Sequence, residues 1–371
     1  MSESIYTINL DPPPPPERPR FKERYLLHIA LFVISFITCT MAGAQWTGHD
    51  PFQIQDWSFG LTYASLILLF LGSHEFGHYF AARIHKVSAT LPFFIPMPVI
   101  LSPFGTMGAV IRTRTQVPSR KIMFDIGVAG PIAGFIVCCG ILLWGFTHLP
   151  TREMMYQIHP DYVLLPDIPT YGMTFGKTAL YALCIKLFAA GKWMPPMNEI
   201  YHFPFLCVGW FGMFVTSLNL MPVGQLDGGH LTFGMFGSKH LTISRTFFVI
   251  ALVLGGLGMY DFAILNGWMH GNPLWIGWSG WLFWALFIAV VIKLKHPPVP
   301  DMTPLDARRK LVGWATILIF LLSFAPMGIF EVPMDMPMFQ HDGAKPGVPV
   351  HQGLGIRDQG LADQILLIPK P

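Results

Sequence analysis

Residues 59–82 read FGLTYASLILLFLGSHEFGHYFAA, an apolar segment that ends with two histidines and a glutamate near its C-terminal end. A segment of about 20 mostly apolar residues is long enough to cross a bilayer as a helix. Ionisable groups inside a bilayer cost roughly 2.5–3.5 kcal/mol each, so they are rare without a function. His74 and His78 are four residues apart, which places them on one face of a helix, close enough to share a metal ion.

Glu75 follows the first histidine and is rotated by about 100° around the helix axis from it. This position suits a general base that acts on a water molecule whose pKa a metal ion lowers toward 7. A bare HExxH also occurs by chance in soluble helices. The structural alternative here is a polar cluster held by hydrogen bonds between helices, and the membrane setting favours the metal.

The composition of the whole chain agrees with a membrane protein. Of its 371 residues, 52% are apolar and only 12% are charged, whereas soluble domains carry about 25% charge. The net charge of +3 is small, and no basic run alternates with aromatic residues, so nucleic acid is not an expected partner. The five cysteines form no CxxC pair and mostly sit in apolar segments, which argues against a disulfide framework or a thiolate metal site.

The fold class predicted from this pattern is an all-α polytopic membrane protein with about seven transmembrane helices and a small membrane-associated β-hairpin insert. A shorter apolar stretch at 178–190 contains Lys186 and predicts an interfacial helix. The predicted spans are 25–45, 59–82, 122–147, 203–223, 243–262, 274–294 and 311–330.

The distribution of basic residues predicts the orientation. With seven spans and the N-terminus in the cytoplasm, 17 of the 24 lysines and arginines fall on the cytoplasmic side. The N-terminal segment is not rich in arginine and serine, so the predicted location is a bacterial inner membrane rather than an organelle. An A-x-A pattern at Ala42–Ala44 leaves open whether the first span is cleaved.

A third metal ligand is expected from a break in the fourth apolar segment, where Pro222 and Gly224 interrupt the helix. Irregular backbone at membrane depth is tolerated only where it is buried in protein or lines a wet cavity. Asp227 lies in this break, on the same side of the membrane as the histidines, and two histidines with a carboxylate form a catalytic zinc arrangement. The alternative is that Asp227 caps the next helix.

Two further sites concern the substrate. The amide of Asn219 could hydrogen-bond a substrate backbone or a developing oxyanion, or it could simply join two helices. Residues 108–115 have strand-like character, and we expect Val110 and Ile111 to lie on an edge strand that pairs with an unwound substrate. An ordinary cytoplasmic hairpin is the alternative.

The chain resembles the site-2 protease family of intramembrane metalloproteases. The resemblance rests on the HExxH at His74–His78, the small-residue motif GPIAG at Gly130–Gly134, and the segment Asn219–Gly228, an N-x-x-P followed by Asp-Gly. The three motifs occur in the family's order and cover residues from about 60 to 235. There is no room between the second and third spans for the PDZ domain of some members, nor enough C-terminal chain for a nucleotide-sensing domain. This pattern is most similar to the compact branch of the family.

The resemblance implies roles for the matching residues. One zinc ion per chain would be bound by His74, His78 and Asp227, with Glu75 activating water and Asn219 helping to hold the substrate. The implied partners are membrane-spanning protein substrates and the lipid bilayer, and the implied activity is regulated intramembrane proteolysis. The residues leave open the identity of the substrate, the activating signal and the oligomeric state.

Three alternatives to a protease remain at this point. Two histidines and a carboxylate also hold non-haem iron in oxygenases, although Glu75 then has no clear role. A catalytically inactive relative or a metal-binding membrane transporter would retain the metal without needing Glu75.

The composition along the chain, together with the apolar segments, divides it into three parts. Residues 1–24 are expected to be a disordered, Pro-rich cytoplasmic N-terminus. Residues 25–330 are expected to form the transmembrane metalloprotease domain, and residues 331–371 a polar, partly disordered tail.

Overall fold

The computed structural model describes residues 23–333, which are mostly helical. The expected N-terminal segment and C-terminal tail fall almost entirely outside this range. The helices of the described range are α1 (Tyr25–Trp46), α2 (Trp57–Ile84), α3 (Arg120–Thr147), α4 (Arg152–Ile158), α5 (Ala179–Phe188), α6 (Pro204–Asn219), α7 (Asp227–Phe236), α8 (His240–Leu265), α9 (Gly280–Phe287, continued by a π-helical turn at Ile288–Ile292) and α10 (Ala307–Ser323). The strands are β1 (Phe93–Pro96), β2 (Thr106–Val110), β3 (Gly172–Phe175) and β4 (Ile329–Val332).

Several of these helices are long and apolar enough to cross a membrane. Within residues 23–333 there are four such segments, which are Tyr25–Trp46, Ile54–Ile84, Arg120–Thr147 and Asp227–Leu265. Apolar side chains on α1, α8 and α10 are exposed, among them Leu26, Val249 and Leu321. Such faces suit lipid contact, because a helix satisfies its own backbone groups. The chain is therefore a helical membrane protein with several spans.

The remaining predicted spans are shorter than expected. Helix α6 has 16 residues and ends at Asn219, before the predicted boundary at residue 223. Helix α10 has 17 residues and ends at Ser323, whereas the prediction extended to residue 330. Pro326 follows closely, and the residue before a proline is disfavoured in the α conformation. The count of seven spans thus stays a prediction.

The predicted β-hairpin is present, but the sheet content was underestimated. Strands β1 and β2 pair antiparallel, with Phe93 opposite Val110. Strand β2 ends at Val110, so the predicted strand 108–115 is wrong at its C-terminal end and Ile111 lies just beyond it. A second antiparallel pair, which was not predicted, joins β3 to β4. Strand β3 lies between the third and fourth predicted spans, and β4 lies at the end of the last predicted span. The two strands are far apart in the sequence, so no short turn between them could predict that they pair.

Helix α6 lies at the centre of the bundle. Trp210, Phe211 and Met213 on this helix are fully buried, and a helix that is apolar all round is typically surrounded by protein. It packs against α2 and α3, while α7 packs against α3. The end of α6 and the start of α7 therefore meet the histidine-bearing part of α2.

The hairpin is attached to α1. His28 on α1 makes a hydrogen bond through Nδ1 to the carbonyl oxygen of Pro92, at 3.1 Å. The indole N–H of Trp46 donates to the carbonyl oxygen of Pro103 at 2.8 Å. These contacts, one near each end of α1, hold the hairpin and its connecting loop in a fixed position beside α2.

Candidate metal centre

His74 and His78 lie on successive turns of α2, and their rings converge. The two Nε2 atoms are 3.1 Å apart. Both side chains are buried, with residue exposures of 3% and 7%. The four-residue spacing thus does what the sequence predicted, because it brings two imidazole nitrogens to one point.

Asp227 is the first residue of α7, and its carboxylate reaches the same point. Its Oδ2 atom lies 3.2 Å from Nε2 of His74 and 3.3 Å from Nε2 of His78. The capping position of α7 is occupied by Leu226, and no side chain caps this helix. Asp227 therefore faces the histidines rather than capping its own helix.

The three atoms have the spacing that a tetrahedral zinc ion requires. Zinc bonds of about 2.0–2.1 Å place neighbouring ligand atoms about 3.3 Å apart, and the observed separations are 3.1, 3.2 and 3.3 Å. Two imidazole nitrogens and one carboxylate oxygen also form a donor set that zinc favours. The residues present therefore fit the metal.

The orientation of His78 is fixed by a hydrogen bond on the far side of its ring. Its Nδ1 atom lies 2.7 Å from the carbonyl oxygen of Ile126 on α3 and must donate to it. This sets the tautomer, so that Nε2 carries the free lone pair a metal needs. For His74, Nδ1 is buried and has no hydrogen-bond partner among the described residues.

Helix α3 passes very close to the two histidines because it carries glycine where they lie. A Cβ atom at Gly130 would stand 2.1 Å from Nε2 of His78, and one at Gly134 would stand 3.2 Å from Cβ of His74. Glycine is thus needed at position 130 for the ring to occupy its place. The GPIAG motif does more here than let two helices approach, since it makes room for a candidate ligand.

Glu75 is adjacent to the ligands and contacts the hairpin. The residue is 9% exposed, and its Oε2 atom accepts a hydrogen bond from the backbone N–H of Ile111 at 2.9 Å. Ile111 was expected to bind substrate, but its amide hydrogen is engaged by Glu75, while its side chain packs near Ala82 and Ile126. Val110, the other predicted substrate residue, is 48% exposed.

Asn219, the last residue of α6, borders the same space. Its side-chain Nδ2 atom lies 3.5 Å from Nε2 of His74. The amide is therefore close enough to contact a group held next to the histidines, and it also links α6 to α2. The geometry is compatible with both interpretations of Asn219 given above.

Two other histidines near the site do not join it. His85 lies beyond the end of α2 and contacts Asp125, with Nε2 and Oδ2 2.9 Å apart. His230 contacts His296, with Nδ1 and Nε2 2.8 Å apart. Sequence reasoning missed His296, because its contact with His230 joins residues far apart in the chain. It also missed the backbone groups of Ile111 and Ile126, because a sequence motif does not record backbone hydrogen bonds.

Comparison with known proteins shows the family of the chain. The family model for peptidase family M50, the site-2 protease family, matches residues 62–257, just over half of the chain. The chain belongs to this family, whose match covers all three candidate ligands and Glu75. No solved structure matches the chain significantly.

Curated relatives from plants are similar over a large part of this chain. The probable zinc metalloprotease EGY1, chloroplastic, of Arabidopsis thaliana is 30% identical over 266 residues, covering 69% of this chain and 40% of the relative. The corresponding EGY1 of Oryza sativa subsp. japonica is 26% identical over 256 residues, covering 68% of this chain and 38% of the relative. The chain thus spans about two fifths of the length of these relatives.

Proposed function

We propose that this chain is an intramembrane zinc metalloprotease that hydrolyses peptide bonds within transmembrane segments, as in regulated intramembrane proteolysis. The observation that carries the proposal is the convergence of two imidazole nitrogens and one carboxylate oxygen within 3.3 Å of one another, with a glutamate next to them on a membrane helix. The relatives named zinc metalloproteases support the same chemistry.

The candidate ligands, Glu75 and Asn219 have different roles in hydrolysis. His74, His78 and Asp227 would hold zinc, which when bound supplies the Lewis acidity that makes water nucleophilic near neutral pH. Glu75 accepts a proton from the attacking water and returns it to the departing amine. The amide of Asn219 is placed to donate to the carbonyl oxygen of the bond that is cleaved.

The substrate must be unwound, because a helix hides its peptide bonds in its own hydrogen bonds. Within the described residues β2 pairs only with β1, so its other edge has no strand partner. The end of this strand leads to Ile111, whose N–H contacts Glu75. A substrate strand that pairs with the edge of β2 would therefore run toward the catalytic glutamate.

We expect Val110→Pro to lower cleavage by at least about tenfold while zinc content stays unchanged. Proline removes the backbone N–H and disturbs pairing at the end of β2, whereas the candidate ligands lie on α2 and α7. The measurement is the cleavage rate of a single-span substrate, with bound zinc determined on the same sample.

The matched control for this position is Val110→Thr, which keeps the β-branched shape and the N–H and should cleave at a rate near that of the unmodified chain. Ile111→Pro tests a different contact, because it removes the donor to Glu75. Full cleavage by Val110→Pro would exclude the edge of β2 as the substrate site.

The count of spans, the orientation, the domain boundaries and the membrane are also proposals. Seven spans require α6, α9 and α10 to cross the membrane, although each is shorter than the other spans. The distribution of basic residues supports a cytoplasmic N-terminus. The expected bacterial inner membrane has no support from the relatives, whose names call them chloroplastic. Cysteine labelling from each side of the membrane would test the orientation.

A chelator tests whether cleavage depends on the metal. Purified chain should lose cleavage of a single-span substrate in 1,10-phenanthroline, which binds zinc, and recover it when zinc is restored. The isomer 1,7-phenanthroline, which cannot chelate, is the matched control and should have no effect. Equal cleavage in both isomers would contradict a metalloprotease.

A further inference from the structure

A second group of metal-binding side chains lies outside the site described above. It consists of His159, Glu199 and His202, all in the region between α3 and α6. The Nε2 atoms of the two histidines are 2.9 Å apart. Oε2 of Glu199 lies 3.4 Å from Nε2 of His202 and 3.7 Å from Nε2 of His159.

The buried carboxylate of Glu199 has one oxygen that its surroundings do not satisfy. Oε1 accepts hydrogen bonds from the hydroxyl of Tyr162 and from the amide of Asn198, both at 3.0 Å. Oε2 is buried and has no hydrogen-bond partner among the described residues, although it faces the two ring nitrogens. The residue as a whole is only 2% exposed. An unpaired buried carboxylate oxygen is costly, and a cation shared with the two imidazoles would satisfy it.

A hydrogen bond between the two imidazoles is the simpler explanation of their contact, but it does not account for Oε2. It uses only the two Nε2 atoms and leaves both Oε2 of Glu199 and Nδ1 of His202 without partners among the described residues. A metal ion uses both Nε2 atoms and Oε2 at once. The side chain of His159 is 29% exposed, so a water molecule has access to a fourth position.

This group lies at the other end of the bundle from His74. A Cβ atom at Gly48, in the connection from α1 to α2, would be 4.0 Å from Cε1 of His202. Helix α2 starts after this connection, and about 25 Å of helix axis separates its first residue, Trp57, from His74. The two groups therefore cannot share an ion.

We propose that His159, Glu199 and His202 form a second binding site for a divalent transition metal, with zinc as the fitting ion. Two imidazole nitrogens and a carboxylate oxygen are a zinc donor set. The ion would tie the segment after α4, which carries His159, to the turn that leads into α6, which carries the other two ligands. The proposal does not depend on proteolysis.

The test measures the number of zinc ions bound per chain by elemental mass spectrometry. The full chain in detergent is saturated with zinc, desalted and analysed. We expect two zinc ions in the unmodified chain, one in His159→Asn/Glu199→Gln, and one in His78→Asn/Asp227→Asn. His78→Asn/Asp227→Asn does not change the residues of the second site. Its zinc count therefore tests that site even if His159→Asn/Glu199→Gln misfolds the connection between α3 and α6.

The matched control is His148→Asn/Glu153→Gln, which changes an exposed histidine and an exposed glutamate in the same connection and should retain two ions. One zinc in the unmodified chain and none in His78→Asn/Asp227→Asn would overturn the second site, as would two ions in His159→Asn/Glu199→Gln. Because the readout is metal content, absence of cleavage would contradict the proposed protease and leave this result standing.

Discussion

Replacing Glu75 with glutamine is expected to slow cleavage of a membrane-spanning substrate by roughly 10²–10⁴-fold, the usual contribution of a general base, with no loss of zinc. Glutamine cannot accept the proton of the attacking water. Its side-chain oxygen can still accept the hydrogen bond from Ile111 that Oε2 of Glu75 now accepts. The loss would therefore report the missing base rather than a displaced hairpin. Cleavage and bound zinc are measured on the same purified sample.

The control for this substitution is Ser73→Ala on the same helix. The hydroxyl of Ser73 donates only to the carbonyl oxygen of Leu69, one turn earlier in α2, so its removal should leave the cleavage rate nearly unchanged. Full activity in Glu75→Gln would instead favour another base. If neither variant nor the unmodified chain cleaves, an inactive relative or a metal-binding transporter becomes the better interpretation.

Gly130→Ala is expected to weaken zinc binding at the His74–His78 site by at least roughly 10–100-fold, the range found when groups that orient metal ligands are changed. The new methyl group would stand 2.1 Å from Nε2 of His78. The ring cannot turn away without losing the bond from Nδ1 to the carbonyl oxygen of Ile126. Zinc titration in competition with a chelator measures the change, and cleavage should fall with it.

Gly140→Ala is the matched control, since it makes the same substitution in the same helix. Nothing lies within 4 Å of a Cβ atom at Gly140. This variant should bind zinc normally and gain up to about 1 kcal/mol of helix stability. Thermal unfolding of Gly130→Ala in detergent shows whether zinc binding is weakened because the ring of His78 is displaced or because the protein no longer folds. Unchanged zinc affinity in Gly130→Ala would contradict the packing of α3 against His78.

The sequence predicted the parts of the fold that depend on local pattern. The long apolar segments correspond to α1, α2 and α3, and α6 ends at Asn219, four residues before the predicted boundary and just before the helix-breaking Pro222 and Gly224. Pairing of β3 with β4 was missed, because strands so distant in sequence are joined only by tertiary contacts. The central position of α6 was missed as well, since a segment that is apolar all round suits lipid as well as protein.

In the candidate site, too, the features set by local sequence pattern were predicted and those set by tertiary contacts were not. Helical periodicity brought His74 and His78 together, and the broken helix pointed to Asp227. The partners of these side chains could not be inferred, because they are backbone groups of Ile111 and Ile126 that any residue type would provide. The tight fit of Gly130 against one particular ring also depends on the relative placement of two helices, which no spacing encodes.

The most direct test of the central claim is the mass of the products made from a single-span substrate. The purified chain, reconstituted in lipid vesicles with this substrate, should yield two fragments whose masses add up to that of the substrate plus one water. The cut should lie inside the apolar segment, and Asp227→Asn should make neither fragment. A cut outside the apolar segment, or the same fragments from Asp227→Asn, would contradict an intramembrane protease built on these three ligands.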